Sequence, residues 1–481
     1  MTVRGERVAF AAQATAGIRA VPTARITRNR TALRFGGRAR PRKAPIRFRR
    51  LTAGADGGKL PRPPAAGETA LRRLSVSRDR IRIVLTESIH PRAVQALRDA
   101  GYVNIETLAG APNEDTLRRL LAEAHILGIR SQTKLSAQAI AAARRLFCIG
   151  CFCIGTNHVD ADAAKRKGIP VFNAPYANTR SVAELVVGEI VMLMRRVPEK
   201  SALAHQGIWR KTATGAHEVR GRTLGIVGYG HIGSQLSVLA EAIGMRVRYF
   251  DIIDKLALGN ATPVRSLGEL LAHADVVSLH VPDTTATRGM IGAAEIAQMR
   301  AGAILINAAR GSVVDIDALA AALSDGRIAG AAVDVFPREP GSGDERLTTP
   351  LQGLPNVILT PHVGGSTEEA QANIGVEVAD KLVTYSDNGS TAGAVNFVEV
   401  ALPVQQGVTR FLHIHRNVPG VLTRVNQVFS QRELNIAAQY LRTDSEVGYM
   451  VSDIDGRLEE GRGIRRELEA IEGTIRSRFL Y

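Results

Sequence analysis

Aromatic residues are scarce in this 481-residue chain: 12 Phe, 8 Tyr and 1 Trp make up 4% of it. Hydrophobic residues nevertheless reach 45%, so a core has to be assembled chiefly from aliphatic side chains. No uninterrupted apolar stretch is long enough to span a bilayer. The nearest, "VAELVVGEIVMLM", is broken by Glu184 and Glu189. Cysteine is rarer still. Cys148, Cys151 and Cys153 lie together in "LFCIGCFCIG", and no second pair exists to complete a tetrahedral zinc site. Small buried thiols on an apolar strand are expected there, and no metal.

Acidic residues are nearly missing from one segment. Residues 1–73 hold 18 of the 62 Lys and Arg but 3 of the 46 Asp and Glu, which leaves 44 basic against 43 acidic residues in the remainder. The net charge of +16 therefore belongs to the N-terminal segment and says little about the chemistry of the body. That segment, taken as residues 1–78, is rich in Arg, Ala, Gly and Pro, has no sustained period, and is expected to be disordered. A targeting leader, a nucleic-acid arm and a start assigned too far upstream are the alternatives, and no catalytic role is taken from it. With the body near neutral, nucleic acid is not expected as the main partner.

Beyond residue 80 short apolar runs alternate with helical patterns: "IRIVL", "AVQALRDAG", "TLRRLLAEAH", "ILGI", "LSAQAIAAARRL", "CIGCFCIG", "ADAAKRKG" and "PVFN". Such alternation implies a parallel, doubly wound sheet. A long helix at about 180–197 leads into a second α/β unit running from "TLGIVG" to "NVILTP", followed by another helix. After a Ser/Asn/Gly-containing stretch, residues 409–481 read βαββαβ, the ferredoxin-like order. The expected fold is α/β: two doubly wound, Rossmann-like or flavodoxin-like domains plus one small ferredoxin-like domain.

The second unit carries Gly228-x-Gly230-x-x-Gly233 between a strand and a helix, and a second strand ends at Asp251, 18 residues beyond Gly233. In that context the glycines form a dinucleotide fingerprint. Gly228 permits the turn, Gly230 admits a pyrophosphate, Gly233 lets helix and strand pack closely, and His231 and Ile232 present N–H groups. A carboxylate at Asp251 suits ribose hydroxyls and repels a 2′-phosphate, so NAD is the expected cofactor. Three strand ends of the same unit carry further chemistry: Arg310 in "LINAARG", Asp334 and Glu339 in "AAVDVFPREP", and His362 in "ILTPHVGG". A histidine can take a hydroxyl proton, a carboxylate can orient it, and an arginine can pair with a substrate carboxylate.

These residues, in this order, resemble the D-isomer-specific 2-hydroxyacid dehydrogenase family. "IGCFCIGTN", "NTRSVAELV", "GYGHIG", "LINAARGSVVD", "LTPHVGGSTEEAQ" and "NIAAQYL" are similar to the bacterial branch that oxidises D-3-phosphoglycerate and ends in an ACT domain. The resemblance implies NAD-dependent formation of 3-phosphohydroxypyruvate, the first step of L-serine biosynthesis, with 2-oxoglutarate reduction as a side activity. His362 would be the acid/base, Glu339 its partner and Arg310 the carboxylate anchor. Ala308, Ala309, Asp334, Val363, Gly364 and Gly365 would line the nicotinamide. Arg130, Ser131, Asn178 and Lys211 would contact substrate, and Trp209 would contact a neighbouring subunit of a homotetramer. His415, Asn417 and Asn435, with Gly420 allowing close approach, would bind L-serine as feedback regulator. The implied domains are 79–177, completed by 366–388, for substrate; 178–365 for NAD; a linker at 389–408; and ACT at 409–481, all in a cytoplasmic enzyme.

Gln132 and Ala109 stand where this branch often carries cations, and Gln405-Gln406-Gly407 stands where a Gly-Gly pair is usual. Those departures bear on substrate affinity and on the strength of serine inhibition. The alternative readings are a dehydrogenase for another D-2-hydroxy acid and a non-catalytic NAD-sensing regulator.

Overall fold

The structure, a computed structural model, describes residues 76–340, 345–404, 408–455 and 461–480. The reading of residues 1–75 as a disordered extension lies outside the described residues, as does Gln405-Gln406-Gly407. The described residues begin slightly before the expected boundary at residue 79. Arg78 opens a 3₁₀ turn and its guanidinium pairs with Asp387 at 2.8 Å, so residues 76–78 belong to the body.

The first sheet is parallel and five-stranded: β1 (Ile83–Leu85), β2 (Ile105–Thr107), β3 (Ile126–Ile129), β4 (Cys148–Cys151) and β5 (Val171–Asn173), in the order β2-β1-β3-β4-β5. Its crossovers are α1 (Pro91–Asp99), α2 (Glu114–Glu123), α3 (Ala137–Ala142) and α4 (Ala161–Arg166). Side chains of Asn113, Ser136 and Asp160 cap the last three, which fixes where each chain segment turns back. Cys148 and Cys151 are buried and Cys153 half-buried; burial pushes the Cys148 and Cys153 thiols up to about 12 and Cys151 well above its ordinary value. They are inert packing groups, as expected.

The helix expected at about 180–197 is α5 (Thr179–Met194), and a second helix, α6 (Val197–His205), follows it. Arg196 between them is left-handed (φ 54°), and Pro198 in the first turn of α6 can start a helix but not continue one. The second sheet follows, with β6 (Thr223–Val227), α7 (His231–Ala242), β7 (Arg246–Phe250), β8 (Thr262–Pro263), α8 (Leu267–His273), β9 (Val276–Leu279), α9 (Ala293–Gln298), β10 (Ala303–Asn307), α10 (Ile316–Ser324), β11 (Ile328–Val333) and β12 (Val357–Leu359). Its seven parallel strands run β12-β11-β10-β9-β6-β7-β8. The order reverses at β9/β6, the switch point where a doubly wound sheet opens a ligand crevice.

The chain then returns to the first sheet through α11 (Glu368–Asn388), which packs on α1 and β4. The expected linker is largely part of that domain. Val395 N–H donates to Val171 O at 2.8 Å, the Asn396 side chain bonds around β5, and Ser390, Thr391 and Val400 are buried. The last unit holds β13 (Val408–Arg416), α12 (Val421–Gln431), β14 (Ile436–Thr443), β15 (Val447–Asp455), α13 (Gly461–Ala470) and β16 (Thr474–Leu480), antiparallel in the order β14-β15-β13-β16. One face of this sheet is covered by α12 and α13. The other shares a core with the first domain, where Leu412, Ile414, Tyr449 and Val451 meet Phe147, Leu382 and Tyr385. Lys165 pairs with Asp444 at 2.8 Å, and the Arg478 guanidinium lies 3.9 Å from the Phe147 ring centroid.

Leu382, fully buried on α11, stands in this shared core. Leu382→Ala should cost roughly 2–5 kcal/mol of stability, read as a lower urea midpoint.

Candidate active site

Three adjacent strands end at one point. Beyond β10 the Asn307 side chain bonds Arg310 O at 3.0 Å and accepts from Ala309 N–H at 3.1 Å, closing the turn that presents Arg310. Gly311 lies so close to the Phe336–Pro337 backbone that a Cβ could not be fitted. Beyond β11, Asp334 is buried at 2% exposure. One carboxylate oxygen accepts from Thr360 Oγ1 at 2.6 Å and Val363 N–H at 2.8 Å, the other from Gly364 N–H at 2.9 Å, and its carbonyl accepts His362 N–H at 2.8 Å. Asp334, expected to line the nicotinamide, has both carboxylate oxygens engaged in holding the loop of residues 360–364.

His362 itself sits at φ 55°, an uncommon conformation for a side-chain-bearing residue, held by those bonds. Its Nδ1 meets Glu339 Oε2 at 2.9 Å, which leaves Nε2 facing outward. The hydrogen bond to Glu339, outweighing burial, holds the imidazole above its ordinary value, with the charges of Glu339 and Asp334 adding to it. For Glu339, burial opposes ionisation, but His362, the Phe336 N–H and Arg310 win and hold the carboxyl below its ordinary value. The site thus joins an imidazole, a carboxylate bonded to it and a guanidinium.

The glycines and Asp251 expected to cradle the cofactor have matching geometry. Gly228 is left-handed (φ 91°), and a Cβ there would meet His280 O at 2.5 Å; one on Gly233 would strike Gly228 O. A Cβ built on Gly230 would meet nothing within 4 Å, so its Cα side faces open space at the α7 N-terminus, where a pyrophosphate fits. Asp251 accepts from Tyr229 N–H at 2.8 Å and Ile253 N–H at 3.0 Å, which fixes its carboxylate beside the turn. Tyr176, missed by the sequence reading, lies against His231 with ring centroids 3.8 Å apart and the rings tilted by 37°.

The expected substrate residues divide. Arg130 and Ser131 follow β3 at the carboxyl edge of the first sheet. Asn178 is buried against Gly365, where its amide leaves no room for a side chain. Lys211 lies in an exposed loop with Trp209, which is 87% exposed, and no described hydrogen bond joins it to Arg310, Glu339 or His362. One chain also does not unite the expected serine contacts. His415 and Asn417 lie at the end of the sheet near Asp444, while Asn435 bonds Asp455 at the opposite end. Residues 87 and 133 went unremarked in the sequence, although Glu87 lies two residues past β1, next to Arg130, which follows β3. The signal was a carboxylate at the carboxyl edge of a parallel strand.

Glu189, on α5, is 1% exposed and neither carboxyl oxygen has a described partner. Burial, with the charge of Asp334 added, raises it from 4.5 to about 8. The folded chain keeps a proton that the unfolded chain has lost, so this stability is complete below pH 4.5 and is lost as pH rises through about 8. Relative to the native chain, Glu189→Gln should gain thermal stability at about pH 9 over its difference at about pH 5. An equal difference at both would refute the assignment. Glu339→Gln should lower the His362 pKa and move the acid limb of hydroxy-acid oxidation to lower pH, seen in kcat/KM–pH profiles.

Known proteins carry the same architecture. Residues 187–364 match the D-isomer specific 2-hydroxyacid dehydrogenase, NAD binding domain, and residues 411–476 match the AHAS small subunit-like ACT domain. The chain is 56% identical over 409 residues to D-3-phosphoglycerate dehydrogenase of Haemophilus influenzae, spanning 85% of this chain and 99% of that one. It is 54% identical over 409 residues to the enzyme of that name from Escherichia coli, spanning 85% and 100%. The D-lactate dehydrogenase of Aquifex aeolicus, solved with NAD and lactic acid, superposes with a TM-score of 0.57 at 29% identity, over 63% of this chain and 95% of that one. NAD is the cofactor, and the fold is the expected one. The chain belongs to the D-isomer-specific 2-hydroxyacid dehydrogenase family, as an NAD-dependent oxidoreductase with a C-terminal ACT domain.

Proposed function

We propose that the chain oxidises D-3-phosphoglycerate at C2 to 3-phosphohydroxypyruvate, the committed chemistry of L-serine formation. The observation that carries this reading is the His362–Glu339 pair beside Arg310, in a chain whose relatives of similar length bear the name D-3-phosphoglycerate dehydrogenase. NAD, when bound along Gly228–Gly233 and Asp251, supplies the hydride acceptor. His362 Nε2 takes the C2 hydroxyl proton, and the resulting imidazolium is stabilised by Glu339. Arg310 pairs with the substrate carboxylate and polarises the adjoining C2–O bond. Arg130 and Ser131 meet the substrate from the opposite domain.

L-Serine is the regulator in this reading. Because His415 and Asn417 stand at the other end of the sheet from Asn435, a serine site using all three needs two ACT domains. β14 is an edge strand and can supply that contact, within a homotetrameric, cytoplasmic enzyme. Reduction of 2-oxoglutarate is an accompanying activity.

The test is NADH oxidation with 3-phosphohydroxypyruvate. His362→Ala should lower kcat/KM by roughly 10²- to 10⁴-fold. Turnover of lactate-type oxo acids with none of the phosphorylated substrate would overturn the substrate assignment, and an unchanged rate in millimolar serine would overturn the regulatory one.

A further inference from the structure

Glu87 has no part in the mechanism above, yet it is the most heavily engaged carboxylate of the first domain. It is 7% exposed, two residues past the end of β1. One oxygen accepts from Arg130 N–H at 3.0 Å, Thr133 N–H at 2.9 Å and Thr133 Oγ1 at 2.5 Å. The other accepts from Gln132 N–H at 2.9 Å, and the Arg130 guanidinium reaches Glu87 O at 3.4 Å.

The backbone delivering this carboxylate is unusual. Glu87 and Ser88 are both left-handed, with φ 60° and 47°. Two successive non-glycine residues hold that conformation only where surrounding bonds compel it. Here they do: Glu87 N–H donates to Gly110 O at 3.3 Å, Ser88 N–H to Leu108 O at 3.1 Å, and Ser88 Oγ to Ala109 O at 2.9 Å. The kinked turn thus spans two neighbouring strand-end loops. β1 and β3 are paired in the sheet, so their ends share the crevice where ligands of such sheets bind.

The geometry points to Glu87 as a positioning residue: its carboxylate gathers the backbone of Arg130 to Thr133 so that the Arg130 guanidinium and Ser131 hydroxyl face the substrate. This rests on the proposed role of Arg130 and Ser131. A carboxylate is required because all of its described partners are donors and both oxygens are engaged. An amide in its place turns one acceptor into a donor facing the Gln132 or Thr133 N–H.

Glu87→Gln tests this with NADH and 3-phosphohydroxypyruvate. KM for the oxo acid should rise at least tenfold, kcat at saturation should fall less than threefold, and KM for NADH should stay within twofold. Because Glu87 acts through Arg130, adding Glu87→Gln to Arg130→Gln should raise KM far less than it does alone. Additive effects, an unchanged oxo-acid KM, or an equal rise in NADH KM would each overturn the proposal. Amide hydrogen exchange is the substrate-independent measurement: Glu87→Gln should accelerate exchange in a peptide covering residues 130–133 and leave peptides of β6 to α7 unchanged. Protection retained at 130–133, or lost throughout, would refute it. Native protein inactive on 3-phosphohydroxypyruvate would instead refute the proposed function, and the exchange result would still decide the role of Glu87 in ordering the loop.

Discussion

The buried carboxylate of Asp334 is the interaction on which the catalytic corner depends. A histidine in the left-handed region, followed by two glycines, has no local reason to keep one conformation. Four bonds to Asp334, three to its side chain and one to its carbonyl, supply that reason. With the backbone held, the imidazole can meet Glu339 without spending rotamer freedom, and Nε2 is left for substrate. Removing the Asp334 carboxylate would leave three donors of the loop without their acceptor at once, a cost far larger than that of the exposed His362–Glu339 contact.

The same logic organises the opposite domain. Parallel sheets leave their chemistry at the carboxyl edge because the crossover helices cover both faces. Each domain therefore has loops that converge there and need fixing from below. Asp334 does this for β11 and β12, Asn307 for β10, and Glu87 for β1 and β3. All three are short polar side chains whose acceptors bind backbone N–H groups that have no strand or helix to join. The ACT sheet is coupled to this frame physically. Its helix-free face completes the core around α11, the helix that begins three residues after Gly365. A shift of that sheet would be felt along α11, which gives the ACT domain a mechanical route toward the loop that carries His362 and Gly365.

Much of this was legible in the sequence. The dinucleotide turn, the three strand-end residues and the βαββαβ order follow from spacing, because glycine requirements and 2- or 3.6-residue periods are local properties. Where prediction slipped, a longer-range contact decided. Residues 389–400 have linker composition although they pack on β5. Glu87 and Thr133 lie 46 residues apart, so their bond belongs to the sheet.

The sequence by itself determined the chemistry: which groups are present, at which strand ends, and with which cofactor fingerprint. Only the tertiary structure decided what each carboxylate does. Asp334, Glu339, Glu189 and Glu87 are equivalent acids on paper. In the fold one ties a loop, one orients a base, one is held neutral and one gathers a backbone. The physical reason is that a carboxylate's role is set by its donors and its exposure, and both come from segments distant in the chain.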